Sequence, residues 1–138
     1  MSDCTFCDIV SGEGPAEVVF EDELTLAFMD IVPYTDGHTL VIPKRHSADI
    51  FELEQPEADA VWRTTIRLAH AIRDALSPAG LTVRQANGRV ADQHIMHFHI
   101  HLIPRDQREK RGSLTQIGEF AERIRAALGR SDPRTPTS

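Results

Sequence analysis

The sequence predicts an α+β domain, an antiparallel five-stranded sheet with one long helix and a C-terminal helix laid on it. Three observations carry this. Short β-prone runs bounded by turn residues stand on both sides of one long stretch of helical periodicity. That stretch, from Pro56 to Leu76, puts Val61, Trp62, Thr65, Leu68, Ala69, Ile72 and Leu76 on one apolar face. The order is therefore strands, long helix, strands, helix, which suits an antiparallel sheet covered by helices. A chain of 138 residues fits a single core.

The elements follow in order. Ser11-Gly-Glu-Gly-Pro15 is a turn rich in breakers. Glu17–Glu21 and Leu24–Asp30 are predicted strands joined by Asp22-Glu23, and His38–Pro43 is a third strand ended by proline. Ser47 is placed to cap a short helix over Ala48–Leu53. Pro56 suits the first turn of the long helix, and Pro78 with Gly80 ends it. Leu81–Ala86 is a fourth strand, Asn87-Gly88 opens a loop that runs past Asp92, and His94–Ile103 is the fifth strand. Ser113-Leu-Thr-Gln116 has the form of a capping box, followed by a helix through Ile117, Phe120, Ile124 and Leu128 with Gly129 past its end. The domain is thus expected over residues 1–129, with a mobile polar tail over 130–138.

The composition is that of an ordinary globular protein, 41% hydrophobic and 26% charged. A net charge of −6 argues against a protein that coats nucleic acid. It leaves room for a small anionic ligand held by local donors. The N-terminal Met-Ser-Asp-Cys lacks a basic segment followed by an apolar one, and no run is long and apolar enough to span a bilayer. A reducing, cytoplasmic setting is expected, in which two cysteines are thiols or metal ligands rather than a disulfide.

The most informative stretch is His97-Phe98-His99-Ile100-His101. In a strand, alternate residues share a face, spaced by roughly 6.6 Å. Three imidazoles then form a row, with Phe98, Ile100 and Leu102 on the other side. Such a row admits chance alternation on a half-exposed strand, a metal site, or a phosphate-directed nucleophile with flanking imidazoles. Cys4-x-x-Cys7 likewise leaves open a redox pair, chance or half of a zinc site, which His46 and His97 would complete as a Cys₂His₂ set. His70 on the long helix is read as structural, and the mixed run Arg105, Asp106, Arg108, Glu109, Lys110 and Arg111 as a solvated face.

The wider context narrows the choice. Asp30-Ile31-Val32-Pro33, Gly37-His38-Thr39-Leu40-Val41-Ile42-Pro43-Lys44-Arg45-His46, Asn87-Gly88 and Gln93 precede the histidine row, and Cys4-Thr5-Phe6-Cys7 stands near the start. Together they resemble the histidine-triad (HIT) family, in particular its Hint-like bacterial branch, over roughly residues 4 to 105. The resemblance implies a dimer that binds purine nucleotides and hydrolyses or transfers at the α-phosphorus. The long helix and the sheet edge are candidates for the dimer contact.

By position, the resemblance makes His99 the nucleophile that forms a nucleotidyl-histidine, with His101 and His38 on phosphate oxygens or the leaving group and His97 beside them. It places Asp30 on the ribose hydroxyls and Phe6, Phe28 and Ile31 around the base. Asn87 and Gln93 are its polar contacts, and the His94 backbone N–H faces the phosphate. It supports Cys4, Cys7, His46 and His97 as ligands of one structural zinc per chain, with no open position. The expected activity is hydrolysis of purine nucleoside phosphoramidates; dinucleoside polyphosphate hydrolysis and a nucleotide-binding interaction module with little turnover are the alternatives. Two positions depart from the family: Ala86 stands where its loop asparagine is usual, and Asp92 where it has glycine. Aspartate there brings a Cβ and a negative charge near an anion.

Overall fold

A computed structural model of the chain describes residues 3–108 and 110–130. Residues 131–138 of the tail predicted over 130–138 lie outside the described residues. Five strands, β1 (Val18–Glu21), β2 (Thr25–Met29), β3 (Thr39–Pro43), β4 (Gly80–Arg84) and β5 (Ile100–Arg105), form one sheet in the order β1-β2-β3-β5-β4. Every pairing is antiparallel. Three helices accompany it: α1 (Thr5–Ser11), α2 (Gln55–Leu76) and α3 (Ile117–Leu128). Among the described residues no helix is long and apolar enough to cross a membrane.

The two sheet faces are covered differently. Ala27, Met29, Val41, Phe98, Ile100 and Leu102 pack with Val61, Leu68 and Ile72 of α2 and Ala121 and Ile124 of α3. The alternate residues Leu26, Phe28, Leu40 and Ile42 pack with Phe6 of α1. Side chains of one strand alternate between faces, so β2 and β3 serve both cores and are buried throughout. The expectation that Phe98, Ile100 and Leu102 share the face opposite the histidines holds.

Several local expectations do not. The histidine strand begins at Ile100 rather than His94, because upstream groups bind elsewhere: the Phe98 N–H donates to the Ser47 carbonyl at 2.7 Å. Ala48–Leu53 is a turn, not a helix; Asp49 Oδ1 accepts from the N–H groups of Phe51 and Glu52 and closes one turn. The capping box does not form, since Ser113 Oγ contacts Thr115 Oγ1 and α3 starts with no side-chain cap. Trp62 is 50% exposed, off the buried stripe of Val61, Thr64, Thr65, Leu68, Ala71 and Ile72. The short α1 was not foreseen. Cys4 Sγ accepts from the Cys7 N–H at its start, and Gly12, with φ 86°, turns the chain at its end.

Candidate metal cluster and catalytic cavity

α1, the turn after β3 and the segment before β5 bring together four side chains able to ligate a metal. Cys4 Sγ lies 3.3 Å from His97 Nδ1, Cys7 Sγ 3.4 Å from His46 Nδ1, and the two Nδ1 atoms are 3.2 Å apart. All four donor atoms fall within 4.8 Å of one another. Donors around a tetrahedral zinc, with bonds of about 2.3 Å to sulfur and 2.0–2.1 Å to nitrogen, are separated by roughly 3.3–3.8 Å, so this set fits the ion. His97 Nε2 donates to the Pro43 carbonyl at 2.8 Å, which leaves the Nδ1 lone pair aimed at the cluster. Burial, then the hydrogen bond and charge of Cys4, raise the Cys7 thiol to about 11. A bound dication would oppose that shift by stabilising thiolate.

Beyond the cluster, a cavity of ≈ 1110 Å³ opens between α1, β2, β3 and the loop after β4. Phe6, Phe28, Asp30, Ile31, Asn87, His94, His99 and His101 all line it. His97 and His38 do not; each packs against a ring that does, His97 on Phe6 and His38 on His101. The turn that delivers His38 requires glycine: Gly37 has φ +90°, and a Cβ there would meet Leu76 Cδ1 at 2.4 Å.

Hydrogen-bond partners fix the protons on these rings. His99 Nδ1 lies 2.7 Å from the His97 carbonyl, which accepts only, so Nδ1 carries the hydrogen and Nε2 keeps its lone pair. His38 Nδ1 accepts the Tyr34 N–H at 3.0 Å, so in its neutral ring Nε2 carries the hydrogen. It donates to His101 Nδ1 at 2.9 Å and lies 3.5 Å from Asp30 Oδ2. His101 is left with a hydrogen on Nε2. The cavity therefore receives an acceptor nitrogen from His99 and an N–H donor from His101, their rings 4.8 Å apart.

The rings are held neutral. Burial is the main cause, lowering His38 and His97 to about 4 and His101 to about 3. Arg84 and Arg105 add to the effect on His38, and His99 and His38 to that on His101. His99 is lowered as well, against the opposing pull of the His97 carbonyl and Asp30. A neutral imidazole with a directed lone pair can act as a nucleophile at ordinary pH.

The remaining candidates are placed as follows. Phe6 and Phe28 stack edge-on at 5.3 Å, so they form one wall rather than two faces of a sandwich. Ile31, 70% exposed, stands at the rim. Asp30 Oδ1 accepts from the Val32 N–H, while Oδ2 faces His38. Gln93 is outside the lining: its amide accepts from the Gly88 N–H at 2.7 Å and donates to the carbonyls of Ala48 and Ile95. Asn87 is also engaged, accepting from the Ile50 N–H and exchanging hydrogen bonds with Gln85. Asp92 adopts φ 74°, the left-handed conformation that glycine takes without strain. Arg105 lies over the Tyr34 ring at 4.5 Å, so the start of the basic run is a packed element. Sequence reasoning missed the apolar wall of Ile9, Leu40 and Ile95, and it missed Arg84. Strand register alone would have revealed Arg84.

Known proteins share this fold and much of this sequence. The family model described as HIT domain matches residues 11–108. "Protein hit" of Bacillus subtilis is 44% identical over 102 residues, covering 74% of this chain and 70% of the relative. An adenosine 5′-monophosphoramidase of Schizosaccharomyces pombe is 41% identical over 106 residues, 77% of each chain. The crystal structure of a zinc-bound histidine triad family protein from Mycobacterium smegmatis superposes with TM-score 0.85 at 37% identity, covering 91% of this chain and 93% of that one.

Proposed function

The chain belongs to the HIT domain family, and from that premise we propose that it hydrolyses purine nucleoside 5′-phosphoramidates to the nucleoside monophosphate and an amine. The observation that carries this reading is the pair of ring nitrogens in the cavity, an acceptor on His99 and a donor on His101. The S. pombe relative named as an adenosine 5′-monophosphoramidase supports the substrate class.

His99 Nε2 attacks the α-phosphorus, and the bond from phosphorus to the leaving nitrogen breaks. The ring's other nitrogen stays hydrogen-bonded to the His97 carbonyl, which steadies the cation formed. The His101 Nε2–H hydrogen-bonds the phosphate or the departing nitrogen, with its tautomer set by His38. Water then cleaves the histidine–phosphorus bond; overall its hydroxyl goes to phosphorus and its proton to the amine. The Asp30 carboxylate suits the ribose diol, and the base lies between the Phe6–Phe28 wall and Ile31. Gln93 and Asn87 hold the loop that closes the site.

Zinc at Cys4, Cys7, His46 and His97 belongs to the same proposal. With four protein ligands it would supply a structural crosslink, pinning α1 to the start of the histidine segment. We also place a second copy of the chain against the exposed apolar residues Trp62 and Ile66 of α2 and Val83 of the edge strand β4. Sedimentation at micromolar concentration is expected to give a dimer; a monomer contradicts that part.

Turnover assays test the activity. Adenosine 5′-phosphoramidate should yield AMP with multiple turnovers, faster than diadenosine polyphosphates do. Binding of both without hydrolysis would contradict the enzymatic reading.

A further inference from the structure

We propose that Arg84 forms a subsite for an anion carried on the departing half of the substrate, so that, among conjugates with the same scissile bond, the chain favours those whose leaving group bears a carboxylate or a further phosphate. The inference rests on the reading above that the α-phosphorus is attacked in this cavity with the leaving group beside His101.

Arg84 is the last residue of β4 and lies directly opposite His101 in the β4–β5 pairing. Directly opposed residues of an antiparallel pair project from the same face with Cβ atoms about 5 Å apart. Arg84 and His101 accordingly both line the cavity. Arg84 is the one lysine or arginine among the described lining residues.

It makes no hydrogen bond or ion pair among the described residues. Lys44, Arg45 and Arg125, by contrast, each pair with carboxylates. Its charge reaches the catalytic rings, since it contributes to the lowering of both His38 and His101. The Asp30 carboxylate is already engaged: it accepts from the Val32 N–H and lies within 4.8 Å of ring nitrogens of His38 and His101. The Arg84 guanidinium, opposite His101 and without such a partner, is the cation left for an anion of the leaving group. A planar guanidinium accepts carboxylate and phosphate equally well in a two-pronged contact.

The test uses the full chain and two adenosine 5′-phosphoramidates of equal length, one N-linked to β-alanine with its free carboxylate, the other to β-alanine amide. The kcat/KM ratio of carboxylate to amide is expected to be about tenfold, the size of one good charge-assisted contact. It should fall to about one in Arg84→Met and be retained in Arg84→Lys. Diadenosine tetraphosphate provides the phosphate arm: an equal loss in both arms assigns a general anion subsite, and a loss in one arm assigns that anion.

Calorimetric titration of the two amidates into His99→Ala and into His99→Ala with Arg84→Met reads the same ratio without turnover. A binding ratio that depends on Arg84 in the His99→Ala background supports the subsite, and if the parent chain then turns over neither amidate, the hydrolytic reading alone is contradicted. A ratio unaltered by Arg84→Met in both measurements overturns the subsite. So does a uniform fall for both conjugates with a displaced acid limb, which would assign Arg84 to tuning the imidazoles.

Discussion

His97 and His99 stand two residues apart on one face, yet they present opposite nitrogens. His97 commits Nε2 to the Pro43 carbonyl and turns Nδ1 toward two cysteines and His46. His99 commits Nδ1 to the His97 carbonyl and leaves Nε2 for the cavity. One backbone carbonyl in each case decides which nitrogen is left, and so suits the first ring to ligating a metal and the second to attacking phosphorus. Chemically identical side chains thus acquire different chemistry from the placement of a single acceptor.

The strongest way to break this contrast is to remove one ring. His99→Ala should lower kcat/KM for adenosine 5′-phosphoramidate by about 10⁴-fold or more, the scale seen when a catalytic nucleophile is deleted. Residual turnover within tenfold of the parent would place the nucleophile elsewhere. Next in size is the metal side. Cys7→Ser, or a strong chelator, should take zinc below about 0.2 per chain. It should also lower Tm by about 10 °C, as expected for losing about 4 kcal/mol of linked binding in a domain of this size. An unaltered Tm alongside metal loss would show that the cluster does not brace the fold.

The relay through His38 sharpens the contrast. His38→Leu keeps the bulk of the ring but removes the hydrogen that holds His101 in its tautomer. A fall in kcat of about 10–100-fold is expected, the range for losing a supporting contact of this kind. A change confined to KM would assign His38 to binding.

pH offers a further handle. A free imidazole titrates near 6.5. His99 is held below that, so its lone pair should survive and kcat/KM should stay level as pH falls through 6.5. A half-loss at 6.5 would show an unshifted ring. Stability runs the other way. His38 and His97 resist protonation until about 4 and His101 until about 3, whereas the unfolded rings bind protons from 6.5 downward. The stability contributed by these rings is therefore complete above 6.5 and is lost from there down to about 3, which acid titration of Tm checks. The smallest effect concerns Asp92. Replacing it with glycine relieves the left-handed backbone, and Tm should rise by a few degrees for about 1 kcal/mol. AMP affinity should hold or improve; a clear loss would reveal a contact from the Asp92 carboxylate.

Much of this was legible in the sequence. Periodicity located α2 and α3, and alternation assigned Phe98, Ile100 and Leu102 to the face opposite the histidines. The Cys4–Cys7–His46–His97 set and eight of the residues that line the cavity followed from a resemblance carried by spaced motifs. What escaped depends on long-range partners. α1 has seven residues, too few to announce itself, and is held by burying Phe6 against Phe28 and His99. The segment before Ile100 has strand-like composition, but its groups bind Ser47 and Pro43 instead of a neighbouring strand. Gln93 resembles a phosphate contact by position, yet its amide binds Gly88 and Ile95 backbone groups of its own loop and the Ala48 carbonyl in the turn after β3. Arg84 gained meaning only when the β4–β5 register set it opposite His101.

The central claim is that the unprotonated nitrogen of His99 becomes bonded to phosphorus. Rapid acid-free quenching of the reaction with adenosine 5′-phosphoramidate, followed by peptide mapping and phosphorus–nitrogen NMR, tests it directly. The account predicts adenylate on His99 through Nε2. Adenylate on His94 or His101, or on His99 through Nδ1, would contradict it.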